Sequence, residues 1–348
     1  MVKAKSKKLK RVGVLTGGGD CPGLNAAIRA VFKKGKQLGF EIVGIKDGWD
    51  GLVEKINTKK LKEEDVRGIL DRGGTILGSS RCNPLKIKNG MRKIVESFKK
   101  LKLSALIVIG GDDTLGIGRK LPKNFPIIAI PKTVDNDIRG TDFCIGFWTA
   151  VQIATEAIDR LHSTAESHHR AIILEVMGRR FGWIATYAGL AGGADYILIP
   201  ETPIDIEKVC QTIRERRKKG KRFSIIVVSE GAKFKGKLVS KTGQTDLFGH
   251  LRLGGIGDRI AELVERKTGI ETRVVSLGHV LRGGSPSAFD RILGTRLGIK
   301  AVDCVAKRKF QKAVVLKGNK ILLIPLSKIK GQKKVNPDIY KTAKVFFH

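Results

Sequence analysis

The feature that most constrains this chain is a recurring unit: a short β-branched run that stops in glycine or polar residues, followed by a stretch with helical spacing. Such runs are Val12–Thr16, Glu41–Ile45, Ala105–Ile109, Ile127–Ile130, Ala171–Val176, Ser224–Ser229 and Arg273–Leu277. Runs this short and this apolar read as strands covered on both faces. Between them, Leu24, Ile28, Val31 and Phe32 share one helical face, as do Met91, Ile94, Val95, Phe98 and Leu101. From Trp148 to Leu161, Val151, Ala154, Ile158 and Leu161 are set against Glu156 and Asp159. Strand and helix in alternation predict βαβ units with a parallel sheet, hence an α/β fold. A chain of 348 residues exceeds what one small core can serve, so two domains are expected. From Lys312 onward two short strands flank Gly318-Asn319, and a lysine-rich segment with no assigned element follows.

Composition excludes several classes. Hydrophobic residues make up 41% of the chain, enough for packed cores and too much for a disordered polymer. No apolar run approaches the ~20 residues that span a bilayer. The lysine-rich start, Met1 to Arg11, lacks an apolar stretch and a cleavage site, so it does not read as a secretory signal. Cys21, Cys82, Cys144, Cys210 and Cys304 are scattered without CxxC spacing, as reduced thiols of a soluble cytoplasmic protein would be. Lys and Arg number 67 against 33 Asp and Glu, a formal +34. Such a field attracts polyanions without regard to sequence. Aromatic residues are only 6% and do not interleave with the basic segments, so nucleic acid is not an expected partner. A lysine-rich solvated surface around a phosphate site is the simpler reading.

The strand ends carry the chemistry, since ligands of open parallel sheets bind beyond the carboxyl ends of the strands. Val12–Thr16 runs into Gly17-Gly18-Gly19-Asp20 and then a helix, an arrangement that can cradle an anion or simply make a tight turn. Ala105–Ile109 runs into Gly110-Gly111-Asp112-Asp113-Thr114, a carboxylate pair suited to magnesium shared with phosphate oxygens. Ile127–Ile130 ends in Pro131-Lys132-Thr133-Val134-Asp135-Asn136-Asp137, a cation, a hydroxyl and two carboxylates in one loop. In the second half, Met177-Gly178-Arg179, Glu230-Gly231 and Gly278-His279 through Arg282 follow strands, with arginines suited to phosphate. The neighbours His168 and His169 read as a strand pair facing opposite ways, and so not as a metal site. Cations for phosphate and acids for metal and base, with no nucleophile–base dyad, point to phosphoryl transfer.

These residues, in this order, resemble the phosphofructokinase family from about Arg11 to about Gly298. The resemblance is carried by residues 13–29 (GVLTGGGDCPGLNAAIR), 72–81 (RGGTILGSSR), 108–114 (VIGGDDT), 131–142 (PKTVDNDIRGTD), 175–179 (EVMGR), 229–231 (SEG) and 272–286 (TRVVSLGHVLRGGSP). It implies two Rossmann-like three-layer domains with mostly parallel sheets and the active site in the cleft between them. The donor (pyrophosphate and magnesium) domain would be 1–147 plus 281–330, and the sugar-phosphate domain 148–280 plus 331–348. Asp135 looks like the general base for the 1-hydroxyl of fructose 6-phosphate, Asp112 like the Mg2+ ligand, and Asp137 lies close to the metal. Gly19 matches a glycine whose backbone meets the donor phosphate. Thr133 and Arg179 match residues around the transferred group, and Arg81 a further cation. Met177, Gly178, Glu230, His279 and Arg282 match the sugar pocket. Arg170 and Arg273 match arginines that the family lends across a subunit interface, which implies a homo-oligomer with shared sites.

Asp113 and Lys132 bear on the donor. The resemblance places glycine at both positions in ATP users, so the pair implies pyrophosphate instead: Asp113 would repel a nucleotide α-phosphate, and Lys132 would bind the compact anion. Lys46, Cys82 and Ile117 likewise stand where ATP users keep an aromatic, a phenylalanine and a glycine. An effector site is only partly matched: Arg29, Lys221 and Arg222 remain as cations, whereas His162 and Ile56 replace arginines. The implied reaction is reversible: fructose 6-phosphate and pyrophosphate give fructose 1,6-bisphosphate and phosphate. An ATP-dependent 6-phosphofructokinase is the nearest alternative. A non-catalytic polyanion binder is another, against which the intact Asp112 and Asp135 argue.

Overall fold

The computed structural model describes residues 11–234, 237–238, 245 and 253–347. Met1–Lys10, where most of the lysine-rich N-terminal reading falls, lies outside them. The strands are β1 Arg11–Gly17, β2 Glu41–Ile45, β3 Thr58–Lys60, β4 Ala105–Gly110, β5 Ile127–Pro131, β6 Ala171–Val176, β7 Tyr196–Leu198, β8 Ser224–Ser229, β9 Lys233–Phe234, β10 Lys237–Leu238, β11 Thr272–Ser276, β12 Lys312–Lys317 and β13 Lys320–Pro325. Every strand read from the sequence is present, including the pair around Gly318-Asn319. The three-residue β3 and β7 were not foreseen. The lysine-rich tail contains a helix, Pro337–Lys344, capped by the Asn336 side chain.

The chain divides into two compact units. One is Met1–Thr133, Ile138–Gly146 and Gly284–Gly331; the other is Val134–Asp137, Phe147–Gly283 and Gln332–His348. Residues 134–137, placed with the first domain in the sequence reading, thus pack with the second unit, as do residues 281–283.

The first unit is built on a seven-stranded sheet, β13-β12-β5-β4-β1-β2-β3. Its central pairings are parallel, and the edge strands β13 and β3 are antiparallel. Leu106, Val108, Ile127 and Ala129 on one face pack with Ile94, Leu115 and Ile117 from the helices Gly90–Lys100 and Asp112–Lys120. The alternate residues, Val14, Ile107, Ile109 and Ile128, are fully buried too. On that side the helices Leu24–Gln37 and Ala288–Ala306 pack on each other and against β2, β5 and β12. Burial on both faces explains why these strands read as continuous apolar runs.

The second unit holds a parallel sheet, β11-β6-β8-β7. Ile173, Ile226 and Val228 meet Val209, Ile213, Ile260 and Val264 of the helices Ile206–Lys218 and Ile256–Thr268. The other face carries Phe147–His168 and Trp183–Ala191. His168 ends the long helix, and His169 follows in a left-handed turn with φ 54°. The two histidines are not on a strand, so strand alternation does not set them on opposite faces. Among the described residues, no helix is long and apolar enough to cross a membrane.

Candidate active site

In the first unit, β1 and β4 end side by side, Gly17 opposite Gly110. Thr114 lies against both: a Cβ at Gly17 would come within 2.7 Å of its side chain, and one at Gly110 within 2.5 Å. Glycine at these ends therefore lets the turn after β1 and the start of the helix Asp112–Lys120 close together. Residues 72–80 are sewn to the same place. Gly18 N–H donates to Ser80 O at 3.1 Å, Thr16 Oγ1 donates to Gly78 O at 2.8 Å, and Asn25 accepts from Ile76 N–H at 2.8 Å.

Lys132 follows β5 and is only 2% exposed. Its ammonium donates to Gly17 O at 3.0 Å and also to Gly19 O, so the cation fixes the Gly17-Gly18-Gly19 turn from below. Gly19 and Lys132 are thus brought together. Arg81 is exposed just beyond the segment that holds Gly18. Asp112 and Asp113 open the helix that follows Gly111, where the helix dipole favours negative charge. Arg119, about two turns further along the same face of the helix, holds Asp112 Oδ1 at 3.1 Å.

Among the described residues no three His, Cys, Asp or Glu side chains cluster as a metal cage. Magnesium needs none, because one or two carboxylates, substrate phosphates and water complete its octahedron. An Asp112 carboxylate oriented by Arg119 and partly open fits that role. Of the residues thought to replace adenosine contacts, Ile117 is core, Cys82 packs against that core, and Lys46 donates to Ile76 O at 2.7 Å.

In the second unit, the turn Val134–Asp137 carries Asp135, 4% exposed, and Asp137, 9% exposed. Arg179 Nε lies 3.9 Å from Asp135 Oδ2. Arg179 itself follows β6 with φ 49°, a left-handed conformation that non-glycine residues adopt at a cost. Glu230, after β8, accepts the Arg179 N–H at 3.1 Å and the Gly178 N–H at 3.4 Å. Gly231 is obligatory: a Cβ there would sit 1.6 Å from the Arg179 carbonyl oxygen. Burial, reinforced by the nearby Asp135 carboxylate, pushes the Glu230 carboxyl up to about 7. Asp135, Gly178, Arg179 and Glu230 therefore form one constellation. Met177 precedes it at the end of β6, and His279 and Arg282 lie in a 3-10 turn beyond the same ends of the sheet.

Arg170 and Arg273 are not brought to this constellation. They sit at the amino-terminal ends of β6 and β11, about 20 Å away along a six-residue strand. There both pair with Glu271. Glu271 gave no signal in the sequence because it lies at the amino-terminal end of its strand, opposite to the ends where ligands of parallel sheets bind. Glu175 was missed too: it is buried and accepts Gly257 N–H at 2.8 Å, capping a helix end.

Residues 11–305 match the model of the phosphofructokinase family. The chain is 52% identical over 342 residues to a Streptomyces coelicolor protein named pyrophosphate–fructose 6-phosphate 1-phosphotransferase, covering 97% of this chain and 99% of that one. It is 46% identical over 341 residues to a Corynebacterium efficiens protein named ATP-dependent 6-phosphofructokinase, again covering 97% and 99%. Among solved structures, Pichia pastoris phosphofructokinase in the T-state superposes with a TM-score of 0.82 at 30% identity, covering 99% of this chain and 38% of that chain. Family match, near-full-length relatives and fold agree: the chain belongs to the phosphofructokinase family.

Proposed function

We propose that this enzyme reversibly transfers a phosphoryl group from pyrophosphate to the 1-hydroxyl of fructose 6-phosphate, giving fructose 1,6-bisphosphate and phosphate. The observation that carries the reading is the buried Asp135 carboxylate with Arg179 at 3.9 Å. It is a base held beside the cation that would meet the phosphoryl group. Asp135 takes the proton of the attacking hydroxyl. Arg179 and Thr133 face the transferred group, whose charge spreads over its oxygens in the transition state. Met177, Gly178, Glu230, His279 and Arg282 hold the sugar. Arg170 and Arg273, at the far ends of their strands, act on the sugar phosphate of a neighbouring subunit, which makes the working enzyme a homo-oligomer.

On the donor side, the backbone of Gly19 and the Arg81 side chain meet pyrophosphate. Lys132 holds the turn and adds positive charge under it. Asp112 would hold Mg2+, with Asp137 close by; when bound, that ion neutralises charge on the donor phosphates. The mostly buried cysteines suit a reducing cytoplasm.

Donor choice rests on Asp113 and Lys132 and on the name of the Streptomyces coelicolor relative. The Corynebacterium efficiens relative is named as an ATP enzyme, so the donor is the point to test. A carboxylate facing a nucleotide α-phosphate costs several kcal/mol even at an effective dielectric of ~20. That corresponds to about 10²-fold or more in affinity. Initial rates with pyrophosphate and with ATP on one preparation should favour pyrophosphate, and Asp113→Gly should gain ATP activity while losing pyrophosphate activity. Preference of the unmodified enzyme for ATP would reverse the assignment.

A further inference from the structure

At the amino-terminal ends of β6 and β11 the parallel register sets Thr272 opposite Ala171. Glu271 therefore falls beside Arg170, and the Ala171 N–H donates to the Glu271 carbonyl at 3.0 Å. Arg170 Nε donates to Glu271 Oε2 at 2.7 Å, and Arg273 pairs with Oε1. One carboxylate thus engages two guanidiniums from neighbouring strands, one oxygen each. The Arg170 hydrogen bond, above all, holds the Glu271 carboxyl below the usual carboxylate range, so it is an anion at working pH.

We propose that Glu271 is a built-in surrogate for the sugar phosphate: its carboxylate occupies and aligns Arg170 and Arg273 until the 6-phosphate displaces it, and so sets the affinity for sugar phosphates. The inference rests on the reading of Arg170 and Arg273 as phosphate ligands. A phosphate dianion offers three oxygens and twice the charge, and it outcompetes a carboxylate for guanidinium donors. The displaced carboxylate is not lost to solvent, because the backbone tethers it next to the arriving dianion. It imposes a like-charge cost on the arriving anion, and the guanidinium pairing it gives up must be offset by the new contacts. Glu271 would therefore lower the affinity for sugar phosphates while keeping the two guanidiniums aligned for them. The cluster is solvent-exposed, so the effect is modest and screened by salt.

The test is Glu271→Gln in the full-length oligomer, with Glu271→Asp, Arg170→Ala and Arg273→Ala beside it. For exposed pairs of this kind the expected gain is about two- to five-fold. The KM for fructose 6-phosphate should fall by that factor in Glu271→Gln, and so should the KM for fructose 1,6-bisphosphate in the reverse direction. kcat and the KM for pyrophosphate should stay unchanged, Glu271→Asp should stay near the unmodified enzyme, and the gain should fade in ~1 M salt. A merely structural role would raise these constants. If the arginine variants raise KM for both sugars while Glu271→Gln leaves it unchanged or raises it, the surrogate role is wrong and the arginine reading stands. If neither arginine variant moves either KM, the phosphate reading of these arginines is wrong and the surrogate role falls with it.

Discussion

Asp135, buried, and Glu230, half-buried, are two acids of one constellation asked to do different things. Asp135 is the proposed base. Replacing it with Ala or Ser should lower kcat by roughly 10²–10⁴-fold with sugar affinity largely kept, as for loss of a positioned proton acceptor; steady-state kinetics with a direct binding titration checks both halves. Glu230 is raised to about 7 by burial and by Asp135. Its folded state therefore holds a proton more tightly than its unfolded state does, and stability falls as pH climbs from the unfolded value toward 7 and levels off above it. Glu230→Gln should be the more stable protein at pH 8, by on the order of a few kcal/mol, and should lose that advantage by about pH 5. Function runs the other way. A carboxylate that accepts sugar hydroxyls requires ionisation, so kcat/KM for fructose 6-phosphate should drop below about pH 7, and that limb should vanish in Glu230→Gln. Thermal unfolding and a rate profile across pH 5–8 would read both slopes.

The tail beyond Gly331 is tied to the turn Val134–Asp137 element by element. Lys333 N–H donates to Asp137 O at 2.7 Å, Trp183 Nε1 donates to Lys333 O at 3.0 Å, and Lys333 Nζ lies 4.5 Å from the Trp183 ring centroid. Glu201 accepts both Gly182 N–H and Val335 N–H, at 3.0 and 3.1 Å. Trp183→Phe keeps a ring and removes the indole donor. It should cost about 1 kcal/mol of stability and lower kcat more than it alters KM, measured by denaturant unfolding and steady-state rates. None of this was legible in the sequence. The hydrogen bonds that hold Lys333 and Val335 are long-range and leave no local pattern, although Asn336-Pro337 ahead of the last helix is a local start signal that was overlooked. The doubly covered strands were legible because burial on both faces forces continuous β-branched runs. Their glycine-rich carboxyl ends were legible because Gly17, Gly110 and Gly231 have no room for a side chain. β3 and β7 escaped because three residues are too few to show a period. Glu271 escaped because an acid between two arginines looks like any surface ion pair until strand register brings the three together.

For the molecule as a whole, the displacement of Arg170 and Arg273 to the wrong end of their own strands predicts complementation. Arg170→Ala chains, nearly silent at low fructose 6-phosphate because of their raised KM, mixed with inactive Asp135→Ala chains should regenerate activity there once subunits exchange. Exchange without recovery, followed by light scattering or labelled chains, would count against shared sites. The path of the chain between its two units also bears on how the protein is made. The first unit opens with β1 at Arg11 but receives β12 and β13 only from Gly284–Gly331, and the second is completed by Gln332–His348. During synthesis at ~5–20 residues per second, the first unit lacks parts until residue 331 has been added, and the second until the segment beginning at Gln332 has followed. The usual order, in which the leading domain folds while the trailing one is still being translated, is not open to this chain. A nascent chain stalled before residue 312 should expose the bare β5 edge of the first sheet to chaperones and to neighbouring ribosomes.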